Sequence, residues 1–183
     1  MGPLVFALAF FFAVHAVPFF PNLRGRLVAR AGERVYRGAF SLLSIVAFVM
    51  IIRAYGRAEF VELWTAPAFA RGLTYAVMPV VFVLLVAAYT PTHIRKLVRH
   101  PMALAVLLWG LVHLAATGDA ASVLVFGSFA AYAALSVVSA EARGKLAAFT
   151  PKGAFDAAAV ATGLAAYGFA LYFHGALFGP SLV

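Results

Sequence analysis

Two histidines interrupt stretches that are otherwise apolar. His15 lies in FALAFFFAVHAVPFF and His113 in MALAVLLWGLVHLAATG. An ionisable side chain inside an apolar run of membrane length is costly, so it faces a partner, a cavity or a cofactor. Two neutral imidazoles on separate helices are a donor pair that a haem iron accepts as axial ligands. The plainer alternative is two hydrogen-bonded polar residues packed inside a helix bundle. Around His113, the residues Met102, Val106, Trp109 and His113 recur at helical spacing and share a face. Such a face suits a flat apolar macrocycle, and it also suits ordinary helix packing. Around His15, Phe11, Phe12 and Phe19 stand at i−4, i−3 and i+4. No acidic residue accompanies His15 on its helix, so the ring has no local ion pair.

A third histidine belongs to Arg99-His100-Pro101, at the start of the apolar run that ends in His113. Pro101 suits a first helical turn, where no amide hydrogen is required. The free amides of that turn, beside Arg99, favour a phosphate or carboxylate. A solvated basic flank is the alternative. His93 and His174 fall near the ends of apolar runs and read as interfacial residues.

The elements that must carry these residues are transmembrane helices. Hydrophobic residues make up 65% of the chain and charged residues 11%, and mean hydropathy is +1.00. A soluble domain of 183 residues does not have that balance. There are no cysteines, which excludes disulfides, zinc thiolate sites, iron–sulfur clusters and cysteine nucleophiles. A span needs about 20 apolar residues, and six segments qualify. They run from about Pro3 to Phe20, Tyr36 to Tyr55, Leu73 to Tyr89, Pro101 to Thr117, Ala121 to Ala140 and Phe155 to Phe178. The fold class expected is therefore all-α, a single polytopic membrane domain of six helices over 1–183. Prolines 18, 21, 91 and 101 punctuate it. Gly118-Asp119 is a tight turn joining the fourth and fifth helices. The first run lacks a basic leader and a small-residue cleavage site, so it reads as a retained span.

The net charge of +8 is a topology signal here, with no nucleic-acid partner implied. Eleven of the fourteen Lys and Arg fall in alternate connections: Arg24, Arg26, Arg30, Arg34 and Arg37; Arg95, Lys96 and Arg99; Arg143, Lys145 and Lys152. Only Arg53, Arg57 and Arg71 fall in the others. This asymmetry puts the first set in the cytoplasm and both termini outside. The polar connection from Gly56 to Gly72 holds Phe60, Trp64 and Phe69 and reads as an amphipathic segment lying on the outer leaflet. On this topology His15 leans towards the cytoplasm and His113 away from it, a depth difference on the order of 10 Å. His100 is closer to His15 in depth, which leaves open which of the two would share an iron with it.

Several stretches together resemble the NnrU family of small bacterial membrane proteins. They are Phe11-Phe12-Ala13-Val14-His15, Asn22-Leu23-Arg24, Val35-Tyr36-Arg37, Arg99-His100-Pro101-Met102, Leu108 to His113, and Gly118-Asp119. The resemblance covers nearly the whole chain in order and spacing. It implies an inner-membrane protein linked to denitrification and nitric-oxide metabolism. That family is similar to the haem-containing zeta-carotene isomerase, which implies haem b with axial ligands at His15 and His113. Trp109 would then line the pocket, and Arg99 and His100 would orient a propionate. The isomerase has a cysteine three residues before the second histidine as an alternative ligand, where this chain has Gly110. What the resemblance implies is redox or gas-linked chemistry, with a redox partner or a small gas ligand, or isomerisation of an apolar substrate. Arg99-His100-Pro101 and Glu141 also faintly resemble the isoprenylcysteine-type membrane methyltransferases, which use S-adenosylmethionine. Those have a tyrosine two residues after the proline and paired glutamates, against Ala103 and a single Glu141 followed by Ala142 here. A non-catalytic membrane protein is the remaining alternative.

Overall fold

The computed structural model describes residues 1–142, 144 and 149–179. Arg143 and Lys145, two of the basic residues assigned to the cytoplasmic face, lie outside the described residues. Regular structure among the described residues is helical, and one isolated antiparallel bridge joins Glu62 to Asp119. Five helical stretches are long and apolar enough to cross a membrane: Gly2–Phe19, Glu33–Tyr55, Ala70–Ala87, Ala120–Ala142 and Gly153–Tyr172. A sixth, Pro101–Ala116, is equally apolar but has only 16 residues. At 1.5 Å per residue it is about 24 Å long, short of a hydrocarbon core of about 30 Å. Large apolar side chains such as Phe6, Leu42, Ile45, Leu135, Val138 and Phe169 are exposed. A surface of that kind is suited to lipid.

The chain divides into two compact units, Met1–Phe60 and Val61–Val183. In the first, α1 (Gly2–Ala16) packs against α3 (Glu33–Tyr55). A 3₁₀ turn over Val17–Phe19, with Pro18 in it, ends α1. The stretch after it is α2 (Pro21–Ala31), a helix rather than the loop its arginines suggest. Pro21 occupies the first helical position, where its fixed φ and missing amide hydrogen cost nothing. Gly32, at φ 80°, makes the bend into α3 that a β-carbon would resist. Arg24, Arg26, Arg30, Arg34 and Arg37 therefore sit on α2 and the first turns of α3. Arg24 and Arg37 both bind the Glu33 carboxylate, at 2.9 and 2.8 Å. Arg53 lies at the other end of the unit, where the last turns of α3 and the first turn of α1 line one cleft.

In the second unit α4 (Ala70–Ala87) packs against both α6 (Pro101–Ala116) and α9 (Gly153–Tyr172), and α6 packs in turn against α8 (Ser128–Ala142). Val81 and Leu84 of α4 and Ala105 of α6 form the buried centre. Gly163 permits the α4–α9 contact, since a β-carbon there would lie 2.7 Å from the Val83 Cα. The connection between α4 and α6 contains a short helix, α5 (His93–Val98), capped by the Thr92 hydroxyl on the Arg95 amide. Asp156 of α9 accepts from the His93 amide and ring, at 2.8 and 2.6 Å, and ties α5 to α9. The Lys152 amide donates to the Pro91 carbonyl. These bonds hold the segments carrying Arg95, Lys96 and Lys152 together. The last helix is shorter than expected. It ends at Tyr172, and α10 (His174–Phe178) follows after Phe173.

The connection that begins at Gly56 is extended and turned as far as Phe69, and its last residues, Ala70 to Gly72, belong to α4. The Leu63 and Trp64 amides donate to the Gly118 carbonyl, and the Ala120 amide donates to that of Val61. Gly118 has φ 120°, and a β-carbon on it would run into the Trp64 carbonyl oxygen. Beside it, Asp119 is 7% exposed and accepts from the Ser122 amide at 3.0 Å, capping α7 (Ala120–Ser122). Asp119→Ala is expected to cost about 1–2 kcal/mol through loss of this cap. The thermal midpoint in detergent checks it; an unchanged midpoint contradicts the capping role.

Candidate functional site

His15 is half-buried near the end of α1. Its Nδ1–H donates to the Phe11 carbonyl at 2.9 Å, and its ring stacks on Phe11 with centroids 3.9 Å apart. Phe40 of α3 approaches the same ring at 5.1 Å. His113 is built the same way on α6. Its Nδ1–H donates to the Trp109 carbonyl at 2.8 Å. Its ring stacks on Phe126 at 4.9 Å, and Trp109 lies 5.4 Å away. Trp109 also meets Phe126 and Phe129 edge-on, at 5.0 and 5.5 Å. Each histidine is thus fixed by a bond within its own helix, one turn back. A neutral imidazole donating from Nδ1 carries its lone pair on Nε2, the arrangement that orients a histidine to ligate a metal. The rings are walled by aromatic faces, as a flat apolar cofactor requires. This donor chemistry fits a haem iron. Among the described residues, no group of three or more His, Asp or Glu side chains converges on one point as a metal site.

A π-helical turn over Val123–Gly127 precedes α8 and presents Phe126 to His113. Such turns carry an extra residue and recur at functional sites. Opposite it stands Gly110, where a β-carbon would lie 2.7 Å from the Phe126 carbonyl oxygen and 3.1 Å from the Ala130 β-carbon. Position 110 therefore faces the close seam between α6 and the π turn, and that seam has no room for a side chain.

The residues at the other end of α6 form a separate cluster. Arg99 has φ 65°, a region uncommon for a residue with a β-carbon and costing about 1–3 kcal/mol. Its guanidinium donates to Glu141 of α8 at 2.9 Å, and the His100 Nε2–H donates to the other carboxylate oxygen at 2.8 Å. These three residues line a cleft of about 420 Å³, whose other walls are Val98, Leu104, Leu107, Ala134 and Val137. Arg99 and His100 were expected to hold a propionate; both have a carboxylate partner in Glu141.

The expected residues thus fall in three places. His15 lies in the first unit. His113 and Trp109 lie together in the second, and Arg99 and His100 form their own cluster there. Sequence reading missed Phe40 and Phe126. Phe40 stands one turn after Tyr36 on the α3 face and could have been found by spacing. Phe126 could not, because its direction depends on the π turn.

Among the described residues the chain is helical, with several apolar helices long enough to cross a membrane, which suits the class of multi-pass membrane proteins. The family described as NnrU protein matches residues 3–182, and the chain belongs to it. No curated protein and no solved structure matches the chain.

Proposed function

We propose that this NnrU-family chain is a haem b protein of the bacterial inner membrane, with the iron held by Nε2 of His15 and Nε2 of His113. The observation that carries the reading is the shared bonding of the two rings, each donating from Nδ1 to the carbonyl one turn back. Haem would supply a one-electron centre there. Phe11 and Phe40 flank one imidazole in the first unit, and Trp109 and Phe126 flank the other in the second. A six-coordinate iron favours electron transfer or sensing unless a ligand can leave. The seam at Gly110 leaves no place for a replacement thiolate, so we favour a redox or nitric-oxide-linked role over isomerisation of a polyene. Pyridine haemochrome assay of protein purified in mild detergent should report haem b. A colourless protein that takes up no haemin contradicts the proposal.

In the same reading all six apolar helices cross the membrane, with the basic connections in the cytoplasm and both termini outside. The absence of native cysteine makes this testable. Leu97 on α5 and Phe60 in the second connection are 84% and 74% exposed. A membrane-impermeant maleimide should label Phe60→Cys from the periplasm and leave Leu97→Cys unlabelled until cells are opened. The reverse pattern would invert the topology.

One observation favours a second reading. Arg99, His100 and Glu141 converge on one cleft with apolar walls, which suits a methyltransferase of the isoprenylcysteine type. Saturable binding of S-adenosylmethionine by titration calorimetry, abolished in Glu141→Ala, would favour it. No binding removes it.

A further inference from the structure

Tyr36, in the first turns of α3, has a buried hydroxyl with no hydrogen-bond partner among the described residues. A buried donor left unpaired is costly, and each such group in a folded protein needs an explanation. The surroundings of Tyr36 supply one. Phe40 follows one turn later on the same face, with ring centroids 6.3 Å apart. Phe40 in turn reaches the His15 ring at 5.1 Å. His15, Phe40 and Tyr36 therefore form a continuous row of rings within the first unit. Tyr36 stands one helical turn, about 5.4 Å of rise, from the level of Phe40. A hydroxyl at that remove is suited to the edge of a flat ligand rather than to its centre.

Charge selects the kind of ligand edge. The Arg24 guanidinium carbon lies 5.5 Å from the centre of the Tyr36 ring. Arg24 and Arg37 share the single carboxylate of Glu33. Two cations and one anion leave a net positive charge on this cluster, whose Arg24 lies over the Tyr36 ring. An anionic oxygen accepting from Tyr36 would both satisfy the hydroxyl and meet that charge.

We propose that the Tyr36 hydroxyl donates to a carboxylate at the edge of the macrocycle whose iron His15 holds, with Arg24 supplying the charge. This inference rests on the haem reading and assigns the propionate contact to the first unit rather than to Arg99 and His100. The variant Tyr36→Phe removes only the hydroxyl, so the ring packing against Phe40 and the His15 ligation are kept.

The test compares haemin with haemin dimethyl ester, each loaded into the full chain in detergent and released to excess apomyoglobin. The wild type should lose the ester about tenfold faster than haemin, the worth of one charge-assisted hydrogen bond. Tyr36→Phe should lose haemin about as fast as the wild type loses the ester, and should show less than about a twofold difference between the two ligands. Its low-spin spectrum should be unchanged. Equal release of the two ligands by the wild type overturns the assignment, and so does a Tyr36→Phe variant that keeps the full difference. Equal acceleration of both ligands in Tyr36→Phe would mark a packing role and also overturns it. A wild type that takes up neither ligand refutes the haem reading and this inference with it, a result distinct from the others.

Discussion

Gly110→Cys, which places a thiol three residues before His113, will destabilise the protein and will not yield a thiolate-ligated iron. The β-carbon alone would stand 2.7 Å from the Phe126 carbonyl oxygen and 3.3 Å from the Ala130 amide nitrogen. These are backbone atoms of the facing helix, and no rotamer change moves them aside. Overpacking of this kind costs about 1–3 kcal/mol, and more where backbone must shift. For a chain of this size that lowers the melting midpoint by on the order of 5 °C. Gly110→Ala should show most of the same loss, because the clash begins at the β-carbon. Because the seam holds the π turn that carries Phe126, both variants should also disturb the stacked partner of His113. Thermal unfolding and the absorption spectrum read the two effects. Wild-type stability of Gly110→Cys, with a thiolate-type spectrum, would show that position 110 opens towards the iron.

His113→Ala and His15→Ala should each abolish the low-spin spectrum and lower retained haem on the order of tenfold or more. The two should differ in their response to added imidazole. At His113 the ring is enclosed by Trp109 and Phe126, so its removal leaves an aromatic-walled space that free imidazole can fill. His113→Ala should therefore regain the low-spin spectrum with imidazole. His100→Ala should keep that spectrum, since His100 is engaged with Glu141. Loss of the low-spin form in His100→Ala, with His113→Ala unaffected, would transfer the ligand role to His100.

The long helices were legible because length and apolarity alone specify them. The bounds of α3 and α6 differ from expectation by about a turn or less. Helix α2 was hidden by Arg24, Arg26 and Arg30 with Gly25 among them, a polar stretch that reads as a loop; Pro21 at its first position was the available signal. The π turn was illegible because Val123–Gly127 has the composition of any apolar helix. The histidines themselves were legible from cost: an imidazole in an apolar run is rarely idle. Their bonds to the carbonyl one turn back are local to each helix and set which ring nitrogen donates. The Glu141 contact was illegible as a distance, since Arg99 and Glu141 are 42 residues apart and meet only because α6 packs on α8. Tyr36 stands in Val35-Tyr36-Arg37, but nothing in the sequence marks its hydroxyl as unpaired.

The most direct test of the central claim is near-infrared magnetic circular dichroism of the oxidised purified protein, because the position of the ligand-to-metal band identifies the axial pair. The account predicts a low-spin iron with two imidazole ligands, lost in His15→Ala and in His113→Ala. The chain has no cysteine and four methionines, so the competing sulfur ligand is a thioether. An imidazole–methionine band, a high-spin iron in the wild type, or a bis-imidazole band that survives either substitution would contradict it.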